Sequence, residues 1–358
     1  MNVNLLRVSE LGSEERLIWH FFQKQSAILQ SPYFCLEFVE AVAHVRDDVY
    51  IAVLEEAGEI SGFFPFQKDR FGNGRPVGGA LADFHGLLGP SSLMLDLDQL
   101  LIRCGLRNWE FHHLVAEQLP FKAYHRQTGV SHMMDISNGF ESYANAVRSK
   151  GSGQVKDAQY KLRKLQRDYK DIQFVAQVND PTVLHTLMDW KSKQYQASGL
   201  INQFAVGWIR SLLERIFATR SPDFAGMLSA LYVDGEPIAL HFGMRSATVW
   251  NWWFPRHNEK FKRYSPGILL RVLVAQHAAA CGIHRIDLGC GGDETYKPRL
   301  SSGGIEVVQG LIERPSILNS LIRGKNSLEQ WSRQSTFAPL LRMPGRIIKK
   351  IERNRRFD

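Results

Sequence analysis

Three stretches decide how the second half of this chain folds: Tyr232-Val-Asp-Gly-Glu-Pro-Ile-Ala-Leu-His-Phe-Gly243, Ala247-Thr-Val-Trp-Asn-Trp-Trp-Phe254 and Arg263-Tyr-Ser-Pro-Gly267. In the first, Asp234-Gly235 sits between two apolar runs, residues 227–233 and 237–244, a strong two-residue hairpin signal. The Trp-rich second stretch predicts a third strand of the same meander. The third has the chemistry of a helix start, with Ser265 suited to the N-cap and Pro266 to the first helical position. A helix is expected over 266–281, a strand over 285–288 and a glycine-rich turn over 289–293.

Outward from there, residues 155–169 predict a basic helix and 172–178 a strand. Apolar residues near helical spacing predict helices over 183–197 (Leu184, Leu187, Trp190, Tyr195) and 207–217 (Ile209, Leu212, Leu213, Ile216). Ser149-Lys-Gly-Ser-Gly153 has the composition of a break between halves. The first half reads in the same order. A helix opens at Ser31-Pro32 and runs through Phe38 and Val42; strands over 49–54 and 60–66 flank a turn with Gly58. A glycine-rich loop over 70–79 leads to Asp83-Phe84-His85-Gly86. A helix over 93–105, strands over 110–116 and 132–135, and a helix over 141–148 complete it. Helices leading twice into antiparallel strands indicate a duplicated α+β fold, two tandem mixed and mainly antiparallel sheets flanked by helices. The expected units are residues 1–148, residues 154–315 and a basic helical tail, 316–358.

Composition narrows the function. With 44% hydrophobic and 22% charged residues the chain can bury a sizeable core, which excludes global disorder. Four scattered cysteines, Cys35, Cys104, Cys281 and Cys290, suit a reducing compartment better than a disulfide framework. Residues 1–17 carry Glu10, Glu14, Glu15 and Arg16 where a signal peptide needs an apolar core. The longest apolar stretch, 268–283, is interrupted by Arg271, Gln276 and His277 and is too short to span a bilayer. A soluble, cytoplasmic chain is expected. The net charge of +8 is concentrated in two places, residues 150–170 and 341–358, each with seven basic against two acidic residues. Such segments attract phosphates or are solvated helix faces. Aromatic interleaving is sparse, so nucleic-acid binding is not expected. In the tail, Ile347, Ile348 and Ile351 fall on one helical face among basic residues, which predicts weak contact with an anionic membrane surface.

The hairpin and Trp-rich strand, the Arg263–Gly267 junction, and Asp287-Leu-Gly followed by Gly-Asp293-Glu-Thr-Tyr296-Lys297 together resemble the GNAT acyltransferase superfamily. The similarity is to the branch of CelD-type proteins of cellulose and exopolysaccharide gene clusters, related to the Fem peptidyltransferases. Lys161-Leu-Arg-Lys-Leu165 and Asp83-Phe-His-Gly86 share in it, so the resemblance spans most of residues 31–300. It implies two GNAT-like halves and an acyl-CoA donor, acetyl-CoA or another acyl-CoA. The spaced glycines common to that superfamily are reduced here to Gly267.

Orphan amides at the helix start attract phosphate oxygens, and Gly267 permits close approach to the backbone. Arg263, Ser265, Gly267 and Lys297 are therefore the candidate cofactor-binding residues; the alternative is a capped surface helix. Direct acyl transfer needs a base for the acceptor and an acid for the leaving thiolate. Asp287, at a strand end, is either that group or a cap on the turn. Tyr296 is a proton donor or a packed ring. Asp83 and His85, two apart, could form an acid–base pair, which the resemblance places where the first half faces the acceptor cleft, or His85 simply bonds backbone. His241 is a core or cleft histidine. No metal-ligand spacing occurs, His112-His113 included. The expectation is an N- or O-acyltransferase acting on a sugar or polysaccharide precursor. The alternatives are Fem-like aminoacyl transfer from tRNA and a non-catalytic accessory subunit of a polysaccharide synthase. The protein would be cytoplasmic or peripheral at the inner membrane.

Overall fold

A computed structural model of the 358-residue chain describes residues 1–290 and 296–314. β1 (Asn2–Leu6) leads through α1 (Ser13–Gln25) and α2 (Leu36–Val45) into β2 (Val49–Glu56), β3 (Glu59–Lys68) and β4 (Asn73–Arg75). After α3 (Leu97–Arg103) come β5 (Asn108–Val115) and β6 (His125–Asp135). Helices α4 (Phe140–Ser149) and α5 (Gln154–Asp168) cross to the second half, which repeats the order: β7 (Ile172–Val175), α6 (Pro181–Ala197), α7 (Gly207–Ala218), β8 (Phe224–Val233), β9 (Glu236–Ser246) and β10 (Val249–His257). It ends with α8 (Pro266–Ala280), β11 (Arg285–Gly289), α9 (Lys297–Leu300) and β12 (Gly303–Glu313).

Local chemistry sets the boundaries. Asp234 and Gly235 both take positive φ, as a two-residue hairpin turn requires. α3 starts at Leu97, later than its apolar pattern suggests, because the Asp96 carboxylate accepts from the amides of Asp98 and Gln99. Ser31-Pro32 opens a 3-10 turn over Pro32–Phe34, and α2 begins only at Leu36.

The strands form one twelve-stranded sheet in the order β1-β2-β3-β4-β5-β12-β6-β11-β10-β9-β8-β7. The mixed, mainly antiparallel architecture is as expected, with the two halves joined edge to edge. Each half lends its last strand to the other: β6 pairs with β11 and β12 with β5, and the two pair with each other from Gly303↔Met133 to Gly310↔His125. Among the described strand pairs, only β4–β5 and β10–β11 are parallel. One apolar cluster runs beneath α1, α2, α6 and α7 across both halves, including Trp19, Phe38, Leu187 and Leu212. Leu→Ala in such a core costs about 2–5 kcal/mol.

The two parallel seams position the site. β10 and β11 pair only over Val249–Asn251 against Arg285–Asp287. Beyond that β10 continues on β9 alone, with a register shift between Asn251 and Phe254, while β11 bends onto β6 with a shift between Asp287 and Gly289. The strands therefore part at their carboxyl ends, where open α/β sheets place their ligands. In the first half β4 pairs with β5 only at Asn73 and Gly74, then the chain leaves the sheet. It returns in line: His85 bridges Leu114 in parallel and Leu88 bridges Phe63 antiparallel. The His85 amide donates to His113 O and the Val115 amide to His85 O, so this seam stays closed.

No helix among the described residues is long and apolar enough to cross a membrane. The expected tail, 316–358, and positions 291–295 of the glycine-rich turn lie outside the described residues.

Candidate functional site

Asp83 stands where the two halves meet. The in-line segment of the first half carries it to the carboxyl end of β11, against Gly289. Gly289 has φ 73°, and a Cβ there would lie 2.7 Å from Asp83 Oδ2, so the carboxylate rests on bare backbone. Asn251 Nδ2 donates to Asp83 Oδ2 at 3.5 Å, and the Tyr33 hydroxyl donates to Asn251 Oδ1 at 3.3 Å. His113 Nδ1 lies 3.9 Å from Asp83 Oδ1. Burial raises the Asp83 carboxyl above its ordinary range, opposed by His113 and Lys297. Its side chain nevertheless keeps 22% exposure, enough to meet a ligand.

Lys297, predicted at a cofactor phosphate, is instead buried in this cluster. Its Nζ donates to the carbonyls of Gly289 at 3.3 Å and Cys290 at 3.1 Å. Burial lowers its pKa, and Asp83 counteracts this. Asp287 is fully buried, its Oδ1 accepting from Arg285 Nε at 2.9 Å, while Arg285 Nη1 donates to Ala27 O at 2.6 Å. Burial raises Asp287 as well, against the attraction of Arg285. It braces the floor of the site through an ion pair and offers no accessible carboxylate.

His85 does not join Asp83. Its Nε2 accepts from the backbone amides of His112 at 3.2 Å and His113 at 3.1 Å, and burial pushes its pKa well below normal. A ring accepting two amides is neutral and structural. The expected acid–base pair is thus replaced by Asp83 with Tyr33, Asn251 and His113. His241 is a core residue, buried and stacked on Trp252 with ring centroids 3.7 Å apart. Among the described residues no cluster of side chains could hold a metal ion.

The second part of the site is the start of α8. Ser265 does not cap the helix with its side chain: it takes a left-handed conformation (φ 51°, ψ 54°), and its Oγ accepts from Lys161 Nζ at 2.6 Å. Arg263 is already engaged, 3.5 Å from Asp168 and donating to the Tyr264 hydroxyl. Lys161, from α5, is therefore the cation that stands on the helix start. Gly267 faces open space, since a Cβ there would meet only His257 Nδ1 at 3.5 Å. No acidic residue occurs in the first turn of α8, so its amides and dipole favour an anion. Tyr296 lies at the entrance of α9, its ring centroid 4.4 Å from the Arg271 guanidinium carbon.

Tyr33, Asn251, His113 and Arg285 were not expected at the site, and Lys161 figured only in the basic helix and the family resemblance. Arg285 left a signal of its own: it alternates with Asp287 on one strand, which places both on one face.

An opening between parted parallel strands, a helix start free of acids at its mouth and titratable groups at its floor make up the candidate site. Residues 152–298 match the family model for the acetyltransferase (GNAT) domain. That stretch is similar to a GNAT domain over 147 of the 358 residues. It contains the parted strands, the start of α8, Asp287, Tyr296 and Lys297, and excludes Tyr33 and Asp83. No curated protein sequence matches the chain. Among solved structures it is similar to FemX, with 10% identity, TM-score 0.58 and coverage of 89% of this chain and 99% of that one. It is also similar to a conserved protein of unknown function from Bacteroides thetaiotaomicron, with 11% identity, TM-score 0.52 and coverage of 84% and 97%. A third is the C-terminal domain of a putative lysylphosphatidylglycerol synthetase from Agrobacterium fabrum, with 13% identity, TM-score 0.50 and coverage of 87% and 97%. At these identities the likeness is one of fold, and it extends over both halves.

Proposed function

We propose that the protein is an acyltransferase that takes an acyl group, acetyl in the simplest case, from coenzyme A. The donor enters the GNAT domain between β10 and β11. Its pyrophosphate lies at Gly267 and Lys161 on the α8 start, and its thioester reaches the parting of the strands. The acceptor approaches from the side of Tyr33 and Asp83. The observation that carries this reading is the open β10–β11 seam with a half-buried carboxylate at its end.

The chemistry follows from the residues there. Asp83, made more basic by burial, accepts a proton from the acceptor's amine or hydroxyl as its heteroatom attacks the thioester carbonyl. Asn251 holds the carboxylate and Tyr33 holds Asn251. The tetrahedral adduct collapses, the carbon–sulfur bond breaks, and the Tyr296 hydroxyl gives its proton to the leaving thiolate. Lys297, fixed on the carbonyls of Gly289 and Cys290, adds positive charge where the oxyanion develops. Asp287 with Arg285 and His85 act by holding the site in shape.

The CelD-type resemblance makes the acceptor an amino or hydroxyl group on a sugar or polysaccharide precursor. Acetyl-CoA is expected to raise the melting temperature of the full chain by mass action, and a screen of amino sugars and sugar nucleotides should yield one that is acetylated. A chain that neither an acyl-CoA nor tRNA binds would instead be a silent accessory subunit. Aminoacyl transfer is a second reading, favoured by the exposed Lys156, Arg163 and Arg167 of α5 beside the α8 start. It requires tRNA binding that weakens steeply with salt. Peripheral membrane contact through the basic tail remains part of the proposal.

A further inference from the structure

Four side chains, His241 of β9, Trp252 of β10, Arg271 of α8 and Tyr296 at the entrance of α9, lie in layers. The His241 ring stacks on Trp252 at 3.7 Å and 2°, and the Arg271 guanidinium carbon lies 4.9 Å from the Trp252 ring centroid and 4.4 Å from that of Tyr296. Five nitrogens of this stack are buried without a hydrogen-bond partner: His241 Nδ1 and Nε2, Trp252 Nε1, and Arg271 Nε and Nη1. Native interiors leave few such atoms; others occur elsewhere in the molecule, but five lie together in this stack.

Arg271 is the extreme case. It is 3% exposed, and no carboxylate among the described residues pairs with it. The polar groups facing it are the phenols of Tyr143 and Tyr296: the Tyr296 hydroxyl accepts a hydrogen bond from it, and the Tyr143 hydroxyl already donates to Leu300 O at 2.8 Å. The second buried cation nearby, Lys297, shares Asp83, while Asp287 is matched by Arg285. Among the described residues, the interior around the parted strands therefore carries more positive than negative charge. A buried water could bond the nitrogens but would leave that charge uncompensated. An anion with acceptor oxygens would satisfy both.

Trp252 is the first residue of β10 beyond its last pair with β11, Asn251↔Asp287. The stack therefore lies at the floor of the opening, on its α8 side. We propose that Arg271, between Trp252 and Tyr296, receives a ligand carboxylate there, and that the transferred acyl group carries it: a dicarboxylic acyl thioester is the preferred donor. The proposal rests on the reading of the β10–β11 opening as the donor's entry.

The test compares succinyl-CoA with butyryl-CoA, four-carbon thioesters that differ in the terminal carboxylate. The full-length wild type is expected to bind succinyl-CoA at least about tenfold more tightly, a difference of ~1.4 kcal/mol. Arg271→Met is expected to erase that preference while still binding both. Without ligand it should melt at or above the wild-type temperature, since a buried uncompensated charge is gone. Equal wild-type affinities, or a preference that survives in Arg271→Met, would overturn the proposal. A large loss of stability in Arg271→Met, matched by Asp293→Asn or Glu294→Gln, would also overturn it, by showing that the chain supplies its own carboxylate. If neither thioester binds, the donor reading is what has failed, and succinate alone then decides. Protection of the wild type but not of Arg271→Met would keep the carboxylate site with a free dicarboxylate as its ligand; no protection would remove the site as well.

Discussion

The two halves of the sheet share an element order and differ at one seam. In the first half the chain leaves the sheet after β4 pairs with β5 at Asn73 and Gly74, then returns in line, bonding β5 through His85 up to Val115 and β3 through Leu88. In the second half, β10 and β11 separate after Asn251 and Asp287. The helix starts beside the seams differ in the same sense. α3 begins with Asp96 on its amides and Asp98 in its first turn, so the chain's own carboxylates occupy the anion position. α8 begins without an acid and with Lys161 at Ser265. The first half has closed its ligand slot with its own backbone, and the closing segment delivers Asp83 to the slot left open. On the proposed reading, duplication thus leaves one half to bind the donor and one to furnish Asp83.

The largest effect should come from testing that division directly. Asp83→Asn keeps the shape and removes the base, so turnover is expected to fall by roughly 10²–10⁴-fold with little change in donor affinity. The pH profile adds a second measure. Burial raises the Asp83 pKa, and a base acts only when ionised. Wild-type activity should therefore be lost as pH falls through a value above the ordinary carboxylate range, and the variant should lack that limb. Full turnover in Asp83→Asn would reduce the first half to a scaffold.

Next is the brace beneath the open seam. Arg285→Met leaves the Asp287 carboxylate buried without its partner, which should cost about 3–5 kcal/mol at neutral pH. The sign of its pH dependence is fixed by Asp287. Burial already raises this carboxyl, and without Arg285 it rises further, so the folded state holds a proton that the unfolded chain releases. Stability of the variant should then fall as pH climbs from the ordinary carboxylate pKa to the raised one, and recover on acidification. Adding Asp287→Leu should restore part of the loss. Chemical denaturation of the three variants across pH checks this; a loss independent of pH would mean that the arginine packs rather than pairs.

This division was only half legible in the sequence. The second-half meander and α8 follow from Asp234-Gly235, the Trp-rich run and Pro266, all local signals with local consequences. The exchange of β6 and β12 leaves no such trace, because strand partners far apart in sequence are chosen by the completed sheet. The same holds for the site. Asp83 and Gly267 lie in glycine-containing stretches that stand out, whereas Tyr33, Asn251 and His113 become neighbours only once both halves are joined. His85 misled because spacing of two suggests a shared face, yet the segment enters the sheet and turns the ring onto the amides of β5. Ser265 misled because its residue type suits capping, while its left-handed backbone and Lys161 take the hydroxyl elsewhere. Arg271 was visible as a charge inside an apolar helix. With Val274, Ala275 and Ala278 it falls on the core-facing side, where a cation calls for an explanation.

The smallest effect, and the sharpest for the open seam, is expected at Gly267. A valine there has room, since its Cβ would meet only His257 Nδ1 at 3.5 Å, and valine does not lower helix propensity relative to glycine. The unliganded variant should therefore melt as the wild type does. The added side chain would stand over the first α8 amides, where the donor's phosphate oxygens must approach, so acetyl-CoA affinity should drop about tenfold. At a ligand concentration 100 times the wild-type Kd, the stabilisation on binding would shrink from ~2.7 to ~1.4 kcal/mol. Asp98→Asn, at the start of the first-half helix α3, is the matched control and should leave donor binding unchanged. An unchanged acetyl-CoA shift in Gly267→Val would move the phosphate site away from α8. A donor that instead responds to Asp98→Asn would place binding in the half whose seam is closed, and the contrast between the two halves would have to be abandoned.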